Sequence, residues 1–143
     1  MNKVVIVYES LTGNTQAMAE AIMDGAKEAG AEVSLMTASE ANVSQVLDCD
    51  VLVLGSPAMG DEVLEETDFE PFFTALEPSL NGRRLALFGS YGWGDGAWMR
   101  DWSARCLSDG AVLYDAQGLI CQELPDAAAL VACQELGKGV AVF

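Results

Sequence analysis

Ser10, Thr12 and Thr15 bring three hydroxyls, Asn14 an amide and Gly13 a flexible backbone position, all within six residues that follow the apolar strand Val4-Val5-Ile6-Val7-Tyr8. An alanine-rich helical pattern begins at the end of this hexapeptide. Hydroxyls and an amide, together with the unpaired N–H groups and positive dipole end of a helix N-terminus, are the chemistry of an anion cradle. The cradle carries no cation: no lysine or arginine occurs between Lys3 and Lys27. A triphosphate site of the GxxxxGK[ST] kind needs that lysine, so triphosphate chemistry is disfavoured and a phosphate held by hydrogen bonds alone is favoured. The same composition also suits an ordinary turn followed by an N-cap. The choice between these readings rests on the rest of the chain.

Two further segments carry unusual residues. Ser56-Pro57-Ala58-Met59-Gly60-Asp61-Glu62 follows the apolar run 51 to 55, and Ser90-Tyr91-Gly92-Trp93-Gly94-Asp95-Gly96 follows the run 84 to 88. Gly92 to Ala97 satisfies GxGxxA, with Asp115 about 20 residues on, which in isolation suggests a dinucleotide site. That fingerprint belongs after the first strand of its fold, whereas here it follows the fourth, and Trp93 between the glycines would crowd a pyrophosphate. Trp93 is better used as a flat stacking face and Met59 as a polarizable thioether for the opposite face of a planar heterocycle.

The elements that must position these loops follow from the apolar spacing. Strands are expected at 3 to 8, 32 to 36, 51 to 55, 84 to 88, and 111 to 114 with 118 to 121. Helical periodicity fills the gaps: Met18, Ala21, Ile22 and Ala29; a weaker segment at 39 to 47; Phe69, Phe72, Phe73 and Leu76; Trp98, Met99, Trp102 and Cys106; then Ala129, Ala132, Cys133 and Leu136. Asp68 is the expected N-cap of the third helix, with Pro71 in its first turn, and Gly30 suits the end of the first. The last helix should begin after Pro125-Asp126. Near-continuously apolar strands separated by helices predict a parallel sheet covered on both faces. Ligands of such sheets bind beyond the carboxyl ends of the strands, which is where all three loops converge.

Composition narrows the classes. The chain has 143 residues, 51% hydrophobic, consistent with one domain, and no apolar run nears the roughly 20 residues of a membrane span. No signal-type segment opens it, so a cytoplasmic protein is expected. Histidine is absent, and Cys49, Cys106, Cys121 and Cys133 are widely spaced without a CxxC pair, which disfavours zinc, thioredoxin-like and iron–sulfur chemistry and reads as buried thiols in a reducing compartment. A net charge of −15 disfavours nucleic acid and anionic membranes and favours basic protein partners.

Taken together, the three loops resemble those of the flavodoxins, specifically the short-chain clostridial-like type, and the resemblance spans essentially the whole chain. Tyr8-x-Ser10-x-x-Gly13-x-Thr15-x-x-x-Ala19 matches the family's loop for the phosphate of flavin mononucleotide (FMN). Ala58 to Glu62 and Gly89 to Gly96 match its two loops for the isoalloxazine ring. The resemblance implies a flavodoxin-like three-layer α/β sandwich with a five-stranded parallel sheet of order 2-1-3-4-5, over one FMN-binding domain of residues 1–143. It implies a low-potential one-electron carrier, not an enzyme, with non-covalent FMN cycling between semiquinone and hydroquinone.

By position, the cofactor residues implied are Ser10, Leu11, Thr12, Gly13, Asn14 and Thr15; Pro57, Ala58, Met59, Gly60, Asp61 and Glu62; and Gly89, Ser90, Tyr91, Gly92, Trp93, Gly94 and Asp95. Met59 would lie on the inner flavin face and Trp93 on the outer. Glu62 would accept from the flavin N3–H, Ser90 would contact the ribityl and ring oxygens, and the Gly60–Asp61 peptide would turn over on reduction. Asp61, Glu62 and Asp95 would disfavour the anionic reduced flavin. Leu11, where relatives often have glycine, and Pro57, which lacks an N–H, depart from the pattern and imply weaker phosphate binding. No metal is implied. A monomer is expected, docking basic redox partners on an acidic rim of Glu62, Glu65, Glu66, Asp68 and Asp95.

Two rivals remain at this point. An FMN-dependent quinone or NAD(P)H-linked reductase on the same fold would need a second substrate site. A phosphorylation-controlled receiver domain would need an acidic cluster after strand one, an Asp ending strand three and a Lys after strand five, none of which the sequence supplies.

Overall fold

In the computed structural model, which describes residues 1–115 and 117–143, strands and helices alternate as far as α4, after which two short strands precede the last helix. The elements are β1 (Lys3–Tyr8), α1 (Asn14–Glu28), β2 (Glu32–Thr37), α2 (Val43–Val46), β3 (Val51–Gly55), α3 (Phe69–Leu76), β4 (Arg84–Tyr91), α4 (Ala97–Ser108), β5 (Val112–Leu113), β6 (Leu119–Gln122) and α5 (Ala127–Val140). All strand pairs are parallel, in the order β2-β1-β3-β4-β5, with β6 also on β4. β5 pairs with Arg84 and Leu85, and β6 with Phe88 to Tyr91, so the two share the fifth place along one edge of β4. The sheet is therefore the expected 2-1-3-4-5 arrangement with its last strand in two pieces.

Alternation within the buried strands sends side chains to two separate cores. Val4, Ile6, Val51, Val53 and Phe88 pack with Met18 and Ile22 of α1 and with Cys133, Leu136 and Val140 of α5. Val5, Val7, Leu52, Leu54, Leu85 and Leu87 pack on the other side with Phe69, Phe73 and Leu76 of α3 and with Trp98 and Trp102 of α4. On that side the Trp102 ring meets the rings of Phe69 and Phe73 edge-on at 5.3 and 5.8 Å. On the first, α1 and α5 touch backbone to backbone: a Cβ on Gly25 would sit 2.0 Å from the Gln134 carbonyl oxygen, and one on Gly137 2.1 Å from that of Ile22. Trp98, Met99 and Trp102 are core residues, as their helical spacing predicts.

Helix ends follow the sequence in three places and depart from it in two. Gly30 adopts φ +98° and donates to the Lys27 carbonyl, closing α1, and the Asp126 carboxylate accepts the Ala129 N–H to start α5. Pro71 lies in the first turn of α3. The helix expected over 39 to 47 is a single turn, because Asn42 takes extended backbone angles and caps α2 by accepting from the Gln45 N–H. Asp68 does not cap α3 with its side chain; a neighbouring glutamate does so instead.

Candidate functional site

At the carboxyl ends of β1, β3 and β4 the chain leaves the sheet in three loops that are tied to one another by hydrogen bonds. The Ser56 N–H donates to the Phe88 carbonyl at 3.2 Å, the Ala58 N–H to the Ser90 carbonyl at 2.9 Å, and the Glu9 N–H to the Gly55 carbonyl at 3.0 Å. The Trp98 indole N–H reaches the Ser56 carbonyl at 3.2 Å. Gly89 is what allows β4 so near: a Cβ there would fall 2.1 Å from the Ser56 carbonyl oxygen. These bonds frame a cleft of about 330 Å³ lined by Leu11, Thr12, Asn14, Thr15, Pro57, Ala58, Met59, Ser90, Tyr91, Gly92 and Glu123. Its volume suits a small cofactor, and no lysine or arginine is among its lining residues.

The first loop is built as an anion seat. The Ser10 hydroxyl oxygen accepts from the N–H groups of Gly13 (3.1 Å) and Gln16 (3.2 Å), folding the loop onto the start of α1. Gly13 has φ +93°, and open space surrounds the position a Cβ would take, so glycine is there for its backbone angle. Thr15, 1% exposed, joins its hydroxyl to that of Ser90 at 2.8 Å, linking helix and sheet under the cleft. Leu11 is 62% exposed and lines the outer part of the cleft.

The second loop is a small hairpin. Met59 and Val63 exchange both backbone hydrogen bonds, at 2.8 and 2.9 Å, leaving Gly60, Asp61 and Glu62 as its tip. Gly60 has φ +52° with open space at its Cβ position, and Glu62 follows at φ +56°. The Glu62 carboxylate accepts from the N–H groups of Gly96 and Ala97 at 3.1 and 3.2 Å, covering the N-terminus of α4. That end of α4 is thus already served by an anion of the chain itself, which removes the place where the GxGxxA reading would put a pyrophosphate.

The third loop presents Trp93, 63% exposed, on its outer side, with Gly92 bordering the cleft. Gly94 lies against Glu62, 2.3 Å from Oε1 at its would-be Cβ. Asp95 is ion-paired with Arg100 at 2.9 Å, and that hydrogen bond and charge hold its carboxyl below the usual range. Asp61, by contrast, has no ion pair among the described residues.

Of the cofactor residues expected from sequence, those on the cleft wall are Leu11, Thr12, Asn14, Thr15, Pro57, Ala58, Met59, Ser90, Tyr91 and Gly92. Ser10, Gly13 and Gly89 shape the loops from behind, while Gly60, Asp61, Glu62, Trp93, Gly94 and Asp95 form the rim. The expected acidic rim loses one member: Glu65 is 4% exposed. Its Oε1 accepts from the N–H groups of Asp68 and Phe69, at 2.8 and 2.9 Å, and its Oε2 from Thr67 at 2.8 Å. Burial raises its pKa, and these three N–H groups overcome that and leave it below the usual carboxylate range. Glu65 is thus the cap of α3 that Asp68 was expected to be. Glu123, which follows β6 and donates its N–H to the Tyr91 carbonyl at 2.8 Å, is a cleft residue absent from the expectation. The rule that places ligands beyond strand carboxyl ends reaches it once 118 to 121 is treated as a strand in its own right.

The residues present fit FMN. The uncharged cradle at α1 suits a phosphate, and open space lies beside Gly13, Gly60 and Gly92, one glycine from each loop. The cleft between them is walled by Met59, Ala58 and Tyr91.

Comparison with known proteins agrees with that geometry. Residues 6–139 match the family model described as Flavodoxin. A flavodoxin of Clostridium beijerinckii is 48% identical over 136 residues, covering 95% of this chain and 97% of its own. One of Megasphaera elsdenii is 48% identical over 138 residues, covering 96% and 98%. The solution structure of the two-electron reduced Megasphaera elsdenii flavodoxin superposes with a TM-score of 0.85 at 47% identity, over 96% of this chain and 98% of that one.

Proposed function

The chain belongs to the flavodoxin family, and from that premise we propose that it is an electron-transfer protein that binds FMN non-covalently in the cleft between its three loops. The observation that carries this reading is the joining of an uncharged phosphate seat to a ring-sized cleft by the Thr15–Ser90 hydroxyl pair. When bound, the flavin supplies one-electron chemistry at low potential; the chain supplies binding, orientation and charge.

Ser10, Thr12, Asn14 and the first N–H groups of α1 hold the phosphate by hydrogen bonds. Because no cation offsets that dianion, its charge and those of Asp61 and Glu62 disfavour adding negative charge to the ring, which lowers the potential. Met59 covers the inner ring face. Trp93, exposed at the rim, is placed to settle on the outer face and exclude water from it. Gly60, already at positive φ, gives the Gly60–Asp61 peptide freedom to turn and offer either its carbonyl or its N–H to the ring edge.

The exposed carboxylates Asp61 and Glu66 beside the cleft, within a net charge of −15, suit docking of basic redox partners to a monomer in the cytoplasm, with rates that fall as salt rises. Among the described residues no helix is long and apolar enough to cross a membrane. Near-full-length relatives that are themselves flavodoxins favour a carrier over a flavin reductase. The test is direct: purified protein titrated with FMN should quench flavin fluorescence at one equivalent. The complex should take up two electrons in separate steps and oxidise NAD(P)H slowly on its own. Rapid NAD(P)H oxidation would favour a reductase, and absence of flavin binding would end the proposal.

A further inference from the structure

We propose that Glu9, Glu65 and Asp68 form a binding site for one hard divalent cation such as calcium, at the junction of the β1 loop and the segment leading into α3. One carboxylate oxygen from each residue lies within 4.8 Å of the other two. Calcium binds oxygens at about 2.3–2.6 Å, so carboxylate oxygens this near one another can share one ion.

The independent sign of a missing partner is Glu9. It is only 9% exposed, and its Oε2 is fully buried with no hydrogen-bond partner among the described residues. Neither Glu9 nor its two acidic neighbours is in an ion pair among the described residues. Buried charges are ordinarily paired or ligate metals, and an acidic group with two further carboxylates beside it has every electrostatic reason to take a cation. Burial raises the Glu9 pKa; the Ser10 backbone N–H opposes this, and the neighbouring Asp68 and Glu65 carboxylates add to the rise, so that it stays above the usual carboxylate value. Glu65 by contrast stays anionic, and its Oε2 takes a single backbone N–H, leaving room for a metal bond. Asp68, the most exposed of the three, opens the site to solvent water for the remaining positions.

The scaffold is rigid enough to hold such a site. The Glu9 N–H is bonded to the Gly55 carbonyl and the Glu65 N–H to the Ser56 hydroxyl, each at 3.0 Å, so both carboxylates hang from neighbouring points at the end of β3. The proposal does not depend on the cofactor reading, since none of the three residues lines the cleft.

The experiment is calorimetric titration of the purified, chelator-treated protein with calcium chloride at fixed ionic strength, alongside thermal unfolding. The expected result is one saturable calcium per chain and a higher unfolding temperature with calcium. Glu9→Gln should lose affinity by at least the roughly 10- to 100-fold that follows even from losing an outer partner of a metal ligand. It should still unfold cooperatively. Asp68→Asn repeats the test at the exposed ligand should Glu9→Gln fail to fold, and Glu66→Gln, outside the cluster, should leave binding unchanged. Absence of saturable heat at millimolar calcium overturns the site. So does an equal loss in Glu66→Gln, which would mark diffuse attraction to an acidic surface. Stabilisation by acid without any calcium response would show that a proton occupies the place and would equally overturn it.

Discussion

The hydroxyls of Thr15 and Ser90 meet at 2.8 Å, both buried, and so lock the first turn of α1 to the end of β4 beneath the cleft. Removing one partner strands the other without water, at a cost of about 1–3 kcal/mol, whereas removing both leaves two apolar surfaces in contact. Thr15→Val and Ser90→Ala should each lower the unfolding free energy of the cofactor-free protein. The double variant should lose less than the sum of the two, with a coupling of about 1 kcal/mol in a urea-denaturation cycle. Strict additivity would show that the pair does not act as one tie.

Trp93 makes a contrasting case, because it stands 63% exposed and supports little of the fold. Trp93→Ala should leave the stability of the cofactor-free protein within about 0.5 kcal/mol, as for other surface substitutions. FMN affinity should fall by about 1 kcal/mol, the scale of an aromatic stacking contact. Fluorescence titration and denaturation on the same variant separate the two effects. A loss confined to stability would make Trp93 structural.

Gly60 carries its constraint in the backbone alone: φ is +52° and nothing lies within 4 Å of a would-be Cβ. Gly60→Ala therefore meets no clash, only the roughly 1–2 kcal/mol that a left-handed conformation costs a residue with a Cβ. Asn, which tolerates that region, should recover part of it. If the Gly60–Asp61 peptide turns on reduction, the strain falls unequally on the oxidation states. The separation of the two one-electron potentials then changes by roughly 40–90 mV, at about 59 mV per 1.4 kcal/mol for one electron. Equal potentials in Gly60→Ala and the parent protein would exclude a role for that peptide.

What could be read in advance, and what could not, divides along a physical line. The sheet order and the three loops were legible because buried parallel strands are written as continuous apolar runs, and loop position follows from strand direction. Met59 and Trp93 stood out as apolar residues on loops that glycine keeps at the surface. Side-chain traffic within the loops was not legible. Glu65 lies four residues before Phe69, outside the spacing of an ordinary cap, yet its carboxylate folds back to serve three N–H groups, while Asp68 in the expected position serves none. Asp95 meets Arg100 only because α4 turns the guanidinium back over the loop. Glu9 gave no signal, since β1 is buried on both faces and shows no alternation to say which way the next residue points.

Glu9 and Glu65 also make the pH dependence of stability run in two directions. Glu65 is held below the usual value of 4.5 in the folded protein, so its contribution is fully present above that value and disappears as pH falls through its lower folded value. Glu70 and Glu77, both lowered by hydrogen bonds from Arg105, act in the same sense. Glu9 is raised above 4.5, so in cation-free buffer the folded state takes up its proton first, and stability increases as pH falls through its folded value toward 4.5. Urea unfolding between about pH 7 and pH 3 should therefore show a shallow rise before the acid decline. Glu9→Gln should be more stable than the parent at neutral pH and lack the rise. Glu65→Gln keeps one acceptor oxygen and turns an NH2 donor toward a backbone N–H, so it should lose about 1–3 kcal/mol at neutral pH and show a shallower acid decline. A parent protein whose stability falls monotonically from neutral pH, unchanged in Glu9→Gln, would show that Glu9 is not held in an uncompensated site.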